Sequence, residues 1–320
     1  MPHPGWAPLA PYAPPPPQPG VIPLAPLSLG DCFAALPALA RRYWRPLIGL
    51  GAAAFGLVYA VTYLYSAAAV LYLGSDDPYI DLDRGLSGAL LTVVAIAVAV
   101  GALLTLLSHA FVSALCPAVL RQAVLGRPAP TADTGRRALR RVPALIGTLL
   151  LMTLACALPV LAVAALTLLS GPATMLLLLA ALPFLVWFWI RCSLAPAVVV
   201  LEGAGPLTAL RRSFRLVRGS WWRIFGIQLL MSVLGTVAAT ALVLPFDALG
   251  AALPAYGDTV EFLLGGLLLL PTVAGVLLST LVSQLTVALL YTDLRIRREG
   301  LAPALAEAAY SPRRPLSDLG

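Results

Sequence analysis

The chain has 320 residues, of which 60% are hydrophobic and only 11% charged, and its mean hydropathy is +0.92. Soluble domains carry about 25% charged residues, so this composition excludes a soluble protein and favours a membrane protein. The net charge of +7 could suit a nucleic-acid partner, but the basic residues are all arginines beside apolar runs. The preference of cytoplasmic loops for positive charge explains them, and no nucleic acid is expected.

The N-terminal segment, residues 1–26, contains eleven prolines and lacks the apolar core of a signal peptide. Such a segment cannot pack a core, so we predict a disordered cytoplasmic tail with partly polyproline II character. Two interpretations stay open. The tail could recruit a protein partner with a proline-recognition domain, or it could be a spacer, which its few aromatic residues favour.

Residues 27–300 are predicted to form an all-α, polytopic membrane domain with six transmembrane helices. Each span is an apolar run long enough to cross a hydrocarbon core about 30 Å thick. The expected spans lie at about 47–73, 86–113, 143–169, 173–200, 224–249 and 260–292. Residues 301–320 are expected to be a flexible cytoplasmic tail.

Short amphipathic segments precede alternate spans, at residues 27–45, around 134–141 and at 206–218. In the last of these, an apolar stripe that includes Leu210 and Phe214 runs beside a stripe of arginines at helical spacing. A helix of this kind lies in the headgroup layer with its arginines towards anionic lipid. The predicted headgroup contacts are Arg211, Arg212, Arg215, Arg218, Arg136 and Arg140.

A shift of 79 residues aligns Pro117 with Pro196 and Gly147 with Gly226, which indicates an internal repeat. We predict three hairpin repeats, at about 27–115, 116–195 and 196–300, each with an interfacial amphipathic helix followed by two spans. An even number of spans gives every repeat the same orientation, so the repeats are expected to be parallel.

Polar residues inside the apolar runs mark a second candidate site, composed of Arg191, Gln228 and Asp293. For Arg191 two explanations compete. It could reach the cytoplasmic interface from an over-long fourth span, or it could point into the bundle and bind a lipid phosphate or a carboxylate such as Asp293 or Glu202. Gln228 and Ser232 of the fifth span belong to one polar ridge, and Gly275, Ser279 and Ser283 of the sixth span form a ridge of small and hydroxyl residues. Such ridges favour close packing of the fifth and sixth spans, with a polar pathway as the alternative.

No catalytic residue, metal ligand or cofactor is predicted. The chain has four cysteines without a metal-binding spacing, and only two histidines. Four aspartates occur between residues 74 and 85, but they do not fit a calcium-binding loop, so an outer polar loop is the expected reading.

Three segments, residues 19–31, 191–227 and 288–301, resemble the membrane-domain family of glycerophosphoryl diester phosphodiesterases from actinobacteria and other bacteria. The most specific parts are LEGAGPLTALRRS and YTDLRIRREG. The resemblance implies a bacterial plasma-membrane protein, since many members are stand-alone membrane proteins of unknown function. It does not imply catalysis here, because the family's name comes from relatives fused to a metal-dependent barrel, for which this chain has no room and no histidine pair.

These observations favour a non-enzymatic integral membrane protein. Its basic interfacial helices would bind anionic headgroups and organise lipid or envelope-related partners. A simpler reading of those helices is that their arginines only fix the orientation of the hairpins. The alternative function is a transporter or permease for a small or anionic substrate, for which Arg191 and the polar ridge of the fifth span are the arguments. The oligomeric state is not indicated.

The charge distribution predicts the topology. Nineteen of the 21 arginines fall on one side of the six spans, which is expected to be the cytoplasmic side and to hold both termini. Reporter fusions after Gly85, Gly171 and Asp258 should therefore be external, and fusions after Gly126, Gly205 and Gly300 cytoplasmic. An external reporter at Gly205 would contradict both the topology and the repeat.

Overall fold

The computed structural model describes residues 20–21, 25–74, 88–170, 175–252 and 258–310, and all regular structure in these ranges is helical. Most of the proline-rich tail and the aspartate-rich loop lie outside the described residues. Within the described ranges, six helices are long and apolar enough to cross a membrane, which confirms a multi-pass membrane architecture. The three hairpin repeats and the orientation of the termini stay predictions.

Ten helices are described in chain order. They are α1 (Leu29–Arg42), α2 (Gly51–Gly74), α3 (Gly88–Val124), α4 (Thr131–Ser170), α5 (Met175–Cys192), α6 (Ala195–Leu201), α7 (Pro206–Val217), α8 (Trp221–Ala252), α9 (Asp258–Glu299) and α10 (Leu301–Tyr310). A π-helical turn, Arg45–Leu50, leads directly into α2.

Helix α1 begins with a capping box. The Ser28 hydroxyl accepts a hydrogen bond from the Asp31 amide, and the Asp31 carboxylate accepts from the Ser28 amide. Because the Ser28 amide and hydroxyl both donate to this carboxylate, the pKa of Asp31 is lowered. The helix buries Cys32, Ala35, Leu36 and Leu39 and leaves Leu29 exposed.

Helix α9 is the central element. It packs against α8 most extensively and also against α1, α2, α3, α6 and α10. In the most apolar stretch of α9, 56% of the residues are buried, whereas in that of α4 only 6% are buried. The expected packing of the fifth span on the sixth is therefore present, as α8 against α9.

Two predicted segments differ in the structure. The second amphipathic segment is not a separate helix, because α4 runs from Thr131 through Pro143 to Ser170 without interruption. The expected fourth span is two helices, since α5 ends at Cys192 and α6 begins at Ala195. Pro196 falls in the first turn of α6, where the amide that proline lacks would have no partner within the helix.

The segments that flank the predicted membrane domain also differ from the expectation. Residues 301–310, expected to be flexible, form α10, and its Ala302 and Leu305 pack against the core. This segment is rich in alanine and leucine, which favour helix, and Gly300 ends α9 with a positive φ of 62°. Within the predicted disordered tail, the Val21 amide donates a hydrogen bond to the carbonyl of Ala123 at the end of α3.

Glycines allow α8 and α9 to approach closely. A Cβ atom at Gly275 would lie 2.6 Å from Cγ2 of Val243 and 3.3 Å from the carbonyl oxygen of Ala239. At Gly226 of α8, by contrast, a Cβ atom would meet nothing within 4 Å. The small residues of the sequence ridge therefore serve helix packing at Gly275.

Replacing Gly275 with Val should destabilise the protein by about 1–3 kcal/mol, because the added atoms overpack the α8–α9 contact. Gly226→Val is the matched control and should leave stability nearly unchanged. Thermal unfolding in detergent, followed by circular dichroism, measures both. Equal unfolding temperatures for the two variants would contradict the proposed close contact.

Candidate functional site: the basic ends of the helices and an intramembrane cleft

The carboxylate of Asp293 lies near the end of α9 and is only 1% exposed. It pairs with Arg223 at the start of α8 and with Nε of Arg297 at 2.8 Å, and it accepts a hydrogen bond from the Leu27 amide at 2.8 Å. The Leu27 carbonyl accepts from the same two guanidinium groups. Asp293 therefore joins the segment before α1 to α8 and α9.

A second network surrounds two glutamates. Glu202, after α6, accepts hydrogen bonds from the Tyr291 hydroxyl at 2.6 Å and from Nε of Arg212 at 3.1 Å. Arg212 also pairs with Glu299, which pairs in turn with Arg295. Burial by itself would lower the pKa of Arg212, but the hydrogen bond to Glu202 and the charges of both glutamates raise it. This network connects α7 to the end of α9.

Arg298 caps the C-terminal end of α7. Its guanidinium donates hydrogen bonds to the carbonyls of Arg215 and Arg218 and to the Ser220 hydroxyl. A helix leaves its last carbonyls unpaired, and a cation there is favourable. We call the polar residues at the end of α9 the α9 hub. They are Tyr291, Asp293, Arg295, Arg297, Arg298 and Glu299.

Other arginines face away from the protein. Of the six predicted headgroup contacts, five are exposed: Arg136 and Arg140 on α4, and Arg211, Arg215 and Arg218 on or beside α7. We call these five the outer arginines. Arg212 differs, since its guanidinium lies in the glutamate network. Next to the outer arginines of α7, Leu207 is 61% exposed and Trp222 is 77% exposed.

The structure does not bring Arg191, Gln228 and Asp293 together. The Arg191 guanidinium, in the last turn of α5, lies 4.4 Å from the ring centroid of Trp187 and 5.8 Å from that of Phe214. Its Nε is buried and has no hydrogen-bond partner among the described residues. Asp293 and Glu202, the carboxylates considered for it, are held by other arginines.

Gln228 lines a cleft of about 810 Å³ among α4, α5, α8 and α9. Its amide donates a hydrogen bond of 2.8 Å to the Ser193 hydroxyl, in the break between α5 and α6. Ser232, Ser283 and Gln284 also line the cleft, and the remaining walls are mainly apolar. Exposed side chains such as Leu161 and Trp189 border it, so it opens towards the lipid-facing surface.

The sequence pattern missed most of the α9 hub. It marked Asp293 as an intramembrane group and assigned Arg212 to lipid, whereas both belong to ion-pair networks. The alternation of charges in YTDLRIRREG was the available signal, because such density at the end of a span requires partners. Within the described residues, no group of three or more metal-ligating side chains is close enough to hold a metal ion.

Residues 34–294 match a family model described as a domain of unknown function, DUF7847. No curated protein and no solved structure matches the chain. The matching description does not name a glycerophosphodiester phosphodiesterase, so the comparison supports only the unknown-function part of the predicted resemblance.

Asp293→Asn should strongly destabilise the protein, because Arg223 and Arg297 would lose their shared counter-charge. Breaking a buried pair costs about 3–5 kcal/mol, and partial exposure of both guanidinium groups favours the lower end of that range. Asp247→Asn, at an exposed position near the end of α8, is the matched control. Thermal unfolding in detergent should separate the two variants, and similar stabilities would contradict the role assigned to Asp293.

Proposed function

The chain belongs to the DUF7847 family, a domain of unknown function, and we propose that it is a non-enzymatic membrane protein that binds anionic lipids. In this proposal it lies in a bacterial plasma membrane with both termini in the cytoplasm. Its outer arginines bind lipid headgroups and thereby organise lipid or envelope-related partners. A relation to the membrane domains of glycerophosphoryl diester phosphodiesterases is part of the same proposal.

The observation that carries the proposal is the division of the arginines. Arg212, Arg223, Arg295 and Arg297 are engaged with carboxylates inside the protein. The outer arginines instead project from α4 and α7. Orientation in the membrane requires positive charge on one side, but it does not require a separate basic helix such as α7.

The surroundings of α7 fit the headgroup layer. The helix buries Ala209, Ser213, Leu216 and Val217 and exposes its arginines, so one face packs on the protein and the other is basic. The exposed Trp222 is of a type enriched at membrane interfaces. Arginine guanidinium groups bind phosphate oxygens with paired hydrogen bonds, which suits anionic phospholipids.

The non-enzymatic part of the proposal rests on the described acidic groups at the same helix ends. Asp293, Glu202 and Glu299 each pair with arginine, so their carboxylate oxygens are engaged within the protein. A general acid or base needs a carboxylate that can exchange its proton with a substrate. We therefore assign these groups to structure.

A second candidate function, a transporter or permease for a small or anionic substrate, is favoured by the cleft. Its volume of about 810 Å³ lies within the range of small-molecule sites. Gln284 and Ser283 line it without a hydrogen bond to any described residue, and polar groups at membrane depth are costly unless they serve a ligand or partner.

Native mass spectrometry of protein from vesicles of phosphatidylglycerol and phosphatidylcholine tests the first proposal. We expect the wild type to retain phosphatidylglycerol and R211Q/R215Q/R218Q to lose most of it. Each basic residue near an anionic surface contributes about 1 kcal/mol, so the affinity should fall by roughly 100-fold at low salt.

The matched control is R211K/R215K/R218K, which keeps the charge and should keep most of the lipid. Full lipid retention by the glutamine variant would refute the proposal. If that variant retains the lipid while Gln284→Leu loses it, the lipid binds in the cleft, and this result would favour the second candidate function.

A further inference from the structure

A second basic feature lies between the end of α3, the first turns of α4 and the end of α6. A pocket of about 390 Å³ is lined there by Arg121, Gln122, Thr134, Arg137, Arg140 and Arg141, with Ala118, Val200 and Leu201 completing the wall. We call this feature the arginine pocket. Its four arginines, of which Arg140 is also one of the outer arginines, come from two helices and line one volume, whereas the outer arginines of α7 form a convex stripe.

The electrostatics of the arginine pocket differ from those of the α9 hub. In the hub, carboxylates stand between the guanidinium groups. None of the described residues that line the arginine pocket is acidic. Arg137 and Arg121 are close enough for their charges to interact unfavourably. An anion between them would replace this repulsion with attraction.

The pocket is also partly preorganised. Arg141 donates a hydrogen bond of 3.5 Å to the carbonyl of Gly203, whose positive φ of 72° brings that turn against the guanidinium. A Cβ atom at Gly203 would lie 3.0 Å from Nη2 of Arg141. Thr134, which is buried, also lines the pocket.

We propose that the arginine pocket binds a phosphate group. A tetrahedral phosphate presents oxygens in several directions and can accept paired hydrogen bonds from more than one guanidinium, whereas a carboxylate has only two oxygens. The volume exceeds that of a bare anion, so it also accommodates the group to which the phosphate is esterified.

Two sources supply this chemistry. The candidate spans on either side end at Val124 and begin at Thr131, and the arginines of the pocket lie in the turns next to these ends, where basic residues typically meet headgroups and water. The phosphate can therefore come from a lipid headgroup or from a soluble phosphate compound. The lipid source rests on the proposed function, and the soluble source does not.

Calorimetric titration of the purified full-length protein in neutral detergent tests the inference. Inorganic phosphate and a short-chain phosphatidic acid are titrated separately, with sodium chloride holding the ionic strength constant. We expect saturable binding of one anion per protein. Arg137→Gln should weaken it at least tenfold, and Arg137→Lys should weaken it less, because lysine keeps the charge and loses the guanidinium fork.

Arg41→Gln is the matched control, since it removes one exposed arginine from α1, which does not line the pocket. Its affinity should stay within twofold of the wild type. Arg137 makes no hydrogen bond or ion pair within the described residues, so its variants should fold, and circular dichroism checks this.

Binding of inorganic phosphate supports a soluble ligand, and binding of phosphatidic acid alone supports a lipid headgroup. Binding of neither, or equal losses in Arg137→Gln and Arg41→Gln, would overturn the inference. Failure here would leave the proposed function standing if R211Q/R215Q/R218Q still loses phosphatidylglycerol, because that test does not use Arg137.

Discussion

The structure depends on one buried carboxylate. Asp293 is almost completely enclosed near the end of α9, where an unpaired charge would be very costly, and Arg223, Arg297 and the Leu27 amide surround it. These partners come from α8, from α9 itself and from the segment before α1. A hydrophobic interior cannot specify how transmembrane helices align, because lipid is as apolar as their side chains. The charged end of α9 supplies that alignment through directional contacts.

The arginines of this chain therefore have more than one role. The positive-inside rule accounts for the side on which they lie but treats them as equivalent. In the structure, three arginines form ion pairs with carboxylates of the protein and so join its helices: Arg212, Arg223 and Arg297. The outer arginines have no such partners among the described residues. Once Asp293, Glu202 and Glu299 are engaged, the outer arginines are left to face lipid, water or a ligand.

Much of the architecture could be predicted from local pattern. Hydropathy located the six long apolar helices, and the small residues near Gly275 indicated the contact between α8 and α9. The partners of Asp293 could not be predicted, since Leu27 lies 266 positions away in the chain and nothing local specifies that pairing. The break after Cys192 could not be predicted from Pro196, because Pro117 and Pro143 lie inside the continuous helices α3 and α4. The sequence marked Gln228 as a polar residue within the fifth span. Its hydrogen-bond partner Ser193 could not be predicted, because it lies in the unexpected break between α5 and α6.

The break between α5 and α6 shapes both the cleft and the arginine pocket. The chain turns at Ser193, and α6 is buried against α3, α4 and α9. The end of α6 then forms one wall of the arginine pocket, and its start borders the cleft through Pro196. Helices α3 and α6 each pack against both α4 and α9 and so link the two sides of the cleft. The turn at Ser193 lies between the cleft and the arginine pocket, because α6 borders the cleft at its start and the pocket at its end.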